Sequence, residues 1–112
     1  MSQITSHILD TTSGRPAAGV QIVLYQQQNN DWIEIAGSVT GSDGRVSNLL
    51  SKDTVLQPGT YKLKFLTGGY FNQFSMTSFY PFIEIIFEIT TQEHYHIPLL
   101  LNPFGYTTYR GS

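Results

Sequence analysis

An alternation of apolar and polar residues with a period of two runs through most of this sequence and limits what it can fold into. In "YKLKF", Tyr61, Leu63 and Phe65 alternate with two lysines, and in "FIEIIFEI" every second residue from Ile83 to Ile89 is apolar. Successive side chains of a β-strand point to opposite faces of its sheet, so this period is typical of strands with one buried face. The alternation therefore predicts an antiparallel β protein.

Turn-forming residues separate these stretches, and two more strands fit between them. The segment "GVQIVLY" has three apolar side chains on one face, and in "WIEIAGSV" we expect Ile33, Ile35 and Val39 to share one face. The segments "SGRPAAG", "SDGR", "QPGTY" and "NPFG" are typical of turns and loops. Short strands at this spacing predict a β-sandwich, and a chain of 112 residues fits a single domain, residues 1–112.

One stretch departs from the period of two. In "YFNQFSM", Tyr70, Phe71 and Phe74 recur at helical spacing, which predicts one short helix there. We interpret these three aromatic rings as core packing rather than as a ligand-binding cluster. The sequence thus predicts an all-β fold with a single short helix.

This chain is poor in charged residues and rich in aromatic ones. Charged residues make up 12% of the chain, against about 25% in typical domains, and aromatic residues make up 13%. Interface cores share this bias, so we expect much of the surface to lie in subunit contacts. Phe82 and Ile86, on the same strand face as Glu84 and Glu88, fit that expectation. The alternative is a neutral exposed surface, or a second layer that covers this face.

Composition disfavours several classes of partner and location. The net charge of −2 argues against binding to nucleic acid. No apolar run approaches the roughly 18 residues of a membrane span. The chain has no cysteine, and its beginning, "MSQITSHILD", lacks the pattern of a secretory signal. We therefore expect a cytoplasmic protein without nucleic-acid or membrane partners.

Three histidines and one arginine are the groups best suited to chemistry. His94 and His96 are two residues apart and point the same way if they lie on a strand. A catalytic zinc ion needs three protein ligands, and His7 could be the third, but no ligand motif exists beyond the histidine pair, so we expect no metal site. Arg45 is either a solvated strand start or a planar donor that binds a carbonyl, imide or carboxylate. These residues alone leave the substrate open.

Four stretches resemble a known family. They are "HILDTTSGRPAAGV", "TGSDGR", "FYPFIEIIF" and "HYHIPLLLNPFGYTTYRGS". They resemble the 5-hydroxyisourate hydrolases, the transthyretin-related enzymes of urate breakdown, from about Ser6 to Ser112. The final "YRGS" is the most specific match. One position departs from the family pattern, because Phe82 follows "FYP" where the family often carries an acidic residue.

The resemblance implies a transthyretin-like (prealbumin-like) β-sandwich of two four-stranded sheets. It further implies a homotetramer with active sites in the channel where two dimers meet. The residues that match the family's catalytic positions are His7, Arg45 and His96. Those that match its substrate-binding tail are Tyr109, Arg110, Gly111 and Ser112. His94 is a weaker candidate.

The implied reaction is hydrolytic ring opening of 5-hydroxyisourate to 2-oxo-4-hydroxy-4-carboxy-5-ureidoimidazoline, a step of purine degradation. In it, histidine activates water and arginine holds the substrate, without metal or cofactor. The alternative is a transthyretin-like carrier that binds a small molecule in the same channel, although hormone carriers replace the His/Arg/His set and the "YRGS" end. A cytoplasmic location is expected, or a peroxisomal one in a eukaryote.

Overall fold

Two β-sheets form the layers of the fold. The computed structural model describes residues 2–112, and over that range the chain forms nine strands and one helix. The strands are β1 (Ile4–Asp10), β2 (Arg15–Pro16), β3 (Gln21–Gln28), β4 (Asp31–Val39), β5 (Arg45–Val46), β6 (Gly59–Phe65), β7 (Ile83–Ile89), β8 (Tyr95–Asn102) and β9 (Gly105–Thr108). The helix is α1 (Thr67–Asn72).

The first sheet is built around β1. Its strands run in the order β2-β1-β8-β9, with β5 also paired to β1. The second sheet has the order β4-β3-β6-β7. The predicted all-β sandwich with one short helix is confirmed, and the first sheet carries one additional strand because β2 and β5 are both two-residue strands on β1. The pairing of β1 with β8 is parallel, whereas every other pair named here is antiparallel.

The core lies between the facing sheets and follows the period of two. Tyr61, Leu63 and Phe65 of β6 are all fully buried, as their alternation with lysine predicts. Burial of each such side chain is worth about 1.5–3 kcal/mol. The other large, fully buried side chains are Phe71, Ile4, Ile8, Ile22, Leu24, Ile83, Ile89, Leu99 and Leu101. Both layers therefore contribute to one continuous core.

A β-bulge overturns the predicted facing of β4. Leu24 pairs with Ala36 but Tyr25 pairs with Glu34, so Ile35 is an extra residue on β4. An extra residue reverses the alternation beyond it, and Ile33 and Val39 therefore lie on opposite faces. Ile33 is 43% exposed and Val39 55% exposed, and only Ile35 packs against the core.

The helix begins three residues earlier than the aromatic spacing predicts. It starts directly after β6, and it ends before Phe74, whose side chain is exposed. Gly68 permits this early start, because a Cβ there would lie 2.6 Å from the carbonyl oxygen of Pro81. Tyr70 and Phe71 are buried in the core, as expected, while Phe74 only stacks edge-on against Tyr70.

The outer face of β7 carries exposed apolar side chains beside Glu84 and Glu88, as the sequence indicates. Phe82 and Ile86 are 40% and 59% exposed, so no second layer within residues 2–112 covers them. Within residues 2–112, no helix is long and apolar enough to cross a membrane.

We predict that Tyr70→Phe destabilises the fold by about 1–3 kcal/mol, the cost of leaving a buried acceptor without its hydrogen bond. The buried Tyr70 hydroxyl donates to Oδ2 of buried Asp10 over 2.8 Å and ties α1 to β1. Urea unfolding measures the loss. Tyr106→Phe is the control, because the Tyr106 ring is 42% exposed. Equal unfolding midpoints for the two variants would show that the Tyr70–Asp10 bond contributes nothing.

Candidate functional site

The candidate site lies on the outer face of the first sheet, where β5 and β8 both pair with β1. Thr5 of β1 pairs with His96 of β8, and His7 pairs with Arg45 of β5. Ile4 and Ile8 of the same strand point into the core, so Thr5 and His7 point to the opposite face. The two registers thereby bring three residues of the predicted catalytic set to one face.

A cavity of about 260 Å³ opens on this face. Its lining residues are Thr5, Ser6, Arg45, Val46, Ser47, His94, His96 and Ser112. His7 is paired with Arg45 at the side of this cavity and is not among the lining residues. A larger cavity of about 530 Å³ lies beside α1, but none of its described lining residues is ionisable.

A single hydroxyl joins the two histidines of "HYH". Oγ1 of Thr5 lies 2.7 Å from Nε2 of His94 and 2.7 Å from Nδ1 of His96. The two imidazole rings are stacked, with centroids 6.3 Å apart. The prediction that these histidines point the same way is confirmed. Thr5 had no assigned role at the sequence level, although its spacing of two residues from His7 places both on one strand face.

The residues of the C-terminal tail, Tyr109 to Ser112, lie at two different parts of the surface. The Gly111 amide donates to the His96 carbonyl over 2.8 Å, and a Cβ at Gly111 would lie 2.6 Å from Cδ2 of His96. Ser112 follows into the cavity. Arg110 turns away instead, because neighbouring residues of an extended segment face opposite sides.

Arg110 and Tyr109 lie along a second cavity, of about 190 Å³. The Arg110 guanidinium lies 4.3 Å from the centre of the Tyr95 ring and forms a 2.6 Å ion pair with Glu93. Tyr109 is 58% exposed. Of the four tail residues predicted to bind substrate, the structure places Gly111 and Ser112 beside His96, and Tyr109 and Arg110 along the other cavity.

Burial and a neighbouring cation lower the pKa values of two of the site histidines, His96 and His7. Partial burial lowers the pKa of His96 below its ordinary value, and the charge of Arg45 lowers this pKa further, as do His94 and His7 when they are protonated. Burial and then Arg45 also lower the pKa of His7, against an opposing contribution from Asp43. Both imidazoles are therefore neutral near pH 7 and able to accept a proton.

The site side chains are not arranged as a metal cage. In the part of the chain from residue 2 to residue 112, no three His, Cys, Asp or Glu side chains cluster in a way that could hold a metal ion. The facing nitrogens of His94 and His96 are directed at Thr5. The arrangement suits proton transfer beside a fixed positive charge, since neutral imidazoles lie next to a guanidinium.

Comparison with known proteins identifies the family. The family model described as "HIUase/Transthyretin family" matches residues 4–111. The chain belongs to this family. It is 47% identical over 112 residues to a probable 5-hydroxyisourate hydrolase of Caenorhabditis elegans, covering 99% of this chain and 82% of the relative. The family resemblance seen in the sequence is thus confirmed.

Solved structures of the family confirm the transthyretin-like fold. Klebsiella pneumoniae 5-hydroxyisourate hydrolase aligns with a TM-score of 0.87 and 34% identity, over 97% of this chain and 98% of that one. Sea bream transthyretin in complex with thyroxine aligns with a TM-score of 0.91 and 31% identity, over 98% and 95%. An enzyme and a thyroxine-binding protein match this fold about equally well, so the fold does not distinguish their functions.

We predict that acid destabilises the protein through these histidines. Because the pKa of His96 is lowered in the folded state, the unfolded state binds the proton first, and stability rises with pH across this window. The free energy of unfolding should therefore fall as pH drops below about 6.5, the pKa of an unfolded histidine, and level off once the folded histidines are protonated. Urea unfolding at a series of pH values and one protein concentration measures this dependence.

His96→Gln should flatten that dependence, because glutamine does not titrate. His7→Gln should do so as well, since the pKa of His7 is also lowered in the folded state. An unchanged slope in both variants would show that other groups are responsible.

Proposed function

We propose that this protein is a 5-hydroxyisourate hydrolase of purine degradation, which opens the substrate ring with water to give 2-oxo-4-hydroxy-4-carboxy-5-ureidoimidazoline. The observation that carries the proposal is the meeting of His96, Arg45 and Ser112 at one cavity. The names of the relatives support the same activity. We propose no metal or cofactor for this reaction, because a neutral imidazole and a guanidinium supply both the base and the positive charge that it needs.

In the proposed mechanism, a neutral imidazole takes a proton from the attacking water. His96 lines the cavity and His7 lies beside Arg45, so these two histidines activate and position the water. General base catalysis of this kind contributes about 10²- to 10⁴-fold. The water oxygen bonds to the ring amide carbonyl, the carbon–nitrogen bond breaks, and the departing nitrogen regains the proton.

Arg45 holds the substrate in this proposal. Its planar guanidinium can donate to two oxygens of the substrate at once. The same charge stabilises the negative oxygen that develops at the carbonyl, and one such donor is worth about 2.7–4 kcal/mol. The fixed positive charge of Arg45 also explains why the neighbouring base stays neutral, because it lowers the pKa values of His96 and His7.

Oligomerisation completes the site in this proposal. The cavity lies on the outer face of a sheet, and in a single chain it is open on that side. We propose a homotetramer whose dimer–dimer interface forms a channel over this face. The scarcity of charge and the exposed Phe79, Phe82, Ile86 and Phe104 side chains support extensive subunit contacts. The tail residues Tyr109 to Ser112 line or close the channel, and we propose a cytoplasmic location, or a peroxisomal one in a eukaryote.

The first test compares decay of freshly generated 5-hydroxyisourate with the full chain and with a chain ending at Thr108. We expect the full chain to accelerate decay and the truncated chain to lose most of that rate, because truncation removes Ser112 and the Gly111–His96 hydrogen bond. Light scattering and unfolding curves check that the truncated protein still folds and assembles.

Two outcomes would contradict the proposal. Buffer rates for a folded and assembled full chain would favour a small-molecule carrier, and ligand screening would follow. Equal loss of folding and activity in the truncated chain would remove the assigned role of the tail.

A second test uses the close contact at the tail. Gly111→Ala should lower kcat/KM at least about tenfold, because the new Cβ would displace the His96 ring from its position and lose part of the general-base contribution. Gly105→Ala is the matched control, since a Cβ there would lie 3.7 Å from the Asn102 side chain. Equal activities of the two variants would show that the position of the His96 ring does not matter.

A further inference from the structure

The bridging hydroxyl of Thr5 has one proton for two histidine nitrogens. Thr5 is 5% exposed, and its Oγ1 lies at hydrogen-bond distance from both rings. A hydroxyl donates one hydrogen bond and accepts others. If Thr5 donates to one histidine, the other can bond only by donating its own N–H to Thr5. The hydroxyl therefore couples the tautomer of His94 to that of His96.

The hydrogen bonds from His96 through Thr5 to His94 can run in either direction, and only one direction lets His96 act as a base. When the Nδ1–H of His96 donates to Thr5 and Thr5 donates to Nε2 of His94, the Nε2 of His96 carries a free lone pair. In the opposite direction Nδ1 of His96 accepts from Thr5, and its Nε2 carries the hydrogen. That second tautomer cannot take a proton from water. Which nitrogen of a histidine is protonated is set by the bond that the other nitrogen makes.

We propose that Thr5 is a positioning residue that holds His96 in its base-competent tautomer and relays the proton that His96 takes from water to His94. This inference rests on the proposed hydrolase function. It assigns roles to Thr5 and His94 within the site rather than adding a second site.

In the forward relay, His96 and Thr5 each gain one proton and lose one, and His94 holds the transferred proton. Water gives a proton to Nε2 of His96, His96 gives its Nδ1 proton to Oγ1 of Thr5, and the Thr5 hydroxyl proton passes to Nε2 of His94. The net result is a hydroxide added to the carbonyl and a protonated His94. The reverse path returns the proton to the ring nitrogen that leaves, and the relay ends in its starting state.

The surroundings favour transfer outward along this path. His96 is half-buried and faces the charge of Arg45 from β5 and the ring of His7 from β1, and Asp43 acts on His7 from the turn before β5. His94 is exposed and lies directly before β8. A cation is better solvated at the exposed ring than at the half-buried one. Charge that forms at His96 is thus moved to the more exposed ring.

The first experiment reads the tautomers without substrate. Nitrogen-15 NMR of the histidine side chains in the intact protein should show His96 protonated at Nδ1, and Thr5→Val should shift it toward the Nε2-protonated form. Thr5→Ser keeps the hydroxyl and should retain the wild-type tautomer. A wild-type His96 protonated at Nε2 would overturn the proposal, whether or not the protein hydrolyses 5-hydroxyisourate.

The second experiment separates positioning from relay by kinetics. We expect Thr5→Val to lower kcat about 10- to 100-fold, as part of the general-base contribution, with little change in KM. Thr5→Ser keeps the hydroxyl, so its kcat should stay close to that of the wild type. His94→Gln retains an oxygen that accepts from Thr5 but cannot take the proton, so it should also lower kcat.

The double variant Thr5→Val/His94→Gln should be no slower than Thr5→Val alone, because both changes interrupt one path. Thr60→Val is the control for handling and folding, since it removes a threonine hydroxyl that bonds Glu88 on the other sheet. Wild-type kcat in His94→Gln would overturn the relay. Wild-type kcat in a folded Thr5→Val would overturn the whole proposal, whereas an inactive wild-type protein would instead count against the proposed function.

Discussion

The parallel ladder between β1 and β8 is the constraint on which the site depends. It pairs Ile4 through Asp10 with Tyr95 through Leu101, residues about 91 positions apart along the chain. The same strand β1 holds β5 on its other side. A slip of one residue in the ladder would turn His96 toward the core and Ile97 toward solvent, because side chains alternate between faces. The buried face of β8 therefore keeps the histidine at the outer face.

This register also determines the electrostatics of the site. It brings a guanidinium and three imidazoles onto one partly buried face, where burial and repulsion lower the pKa values of His7 and His96. A histidine in that setting costs folding free energy at acid pH and supplies a neutral base near pH 7. Stability and chemistry are thus linked through the same two rings.

The tail shows how local geometry selects among residues of one motif. Gly111 lies so close to His96 that a larger residue would displace the ring, whereas Arg110, one position earlier, packs on Tyr95 and pairs with Glu93. Neighbouring residues of the motif "YRGS" therefore contact different parts of the structure. Its glycine is required by a close contact rather than by a left-handed backbone.

The sequence by itself determined the fold class, the buried faces of β6 and β7, the single helix and the family. These follow from local alternation, turn residues and motifs, which need no knowledge of strand pairing. The bulge at Ile35 and the early start of α1 could not be predicted from these patterns. An extra residue in a strand and a contact between Gly68 and Pro81 depend on neighbouring strands and loops.

Only the tertiary structure decided that Thr5 bridges two histidines, that His7 lies beside rather than within the lining of the cavity, and that the tail divides. Each of these depends on contacts between segments that are separated in sequence, and the period of two indicates which face a residue takes but not which segment lies next to it.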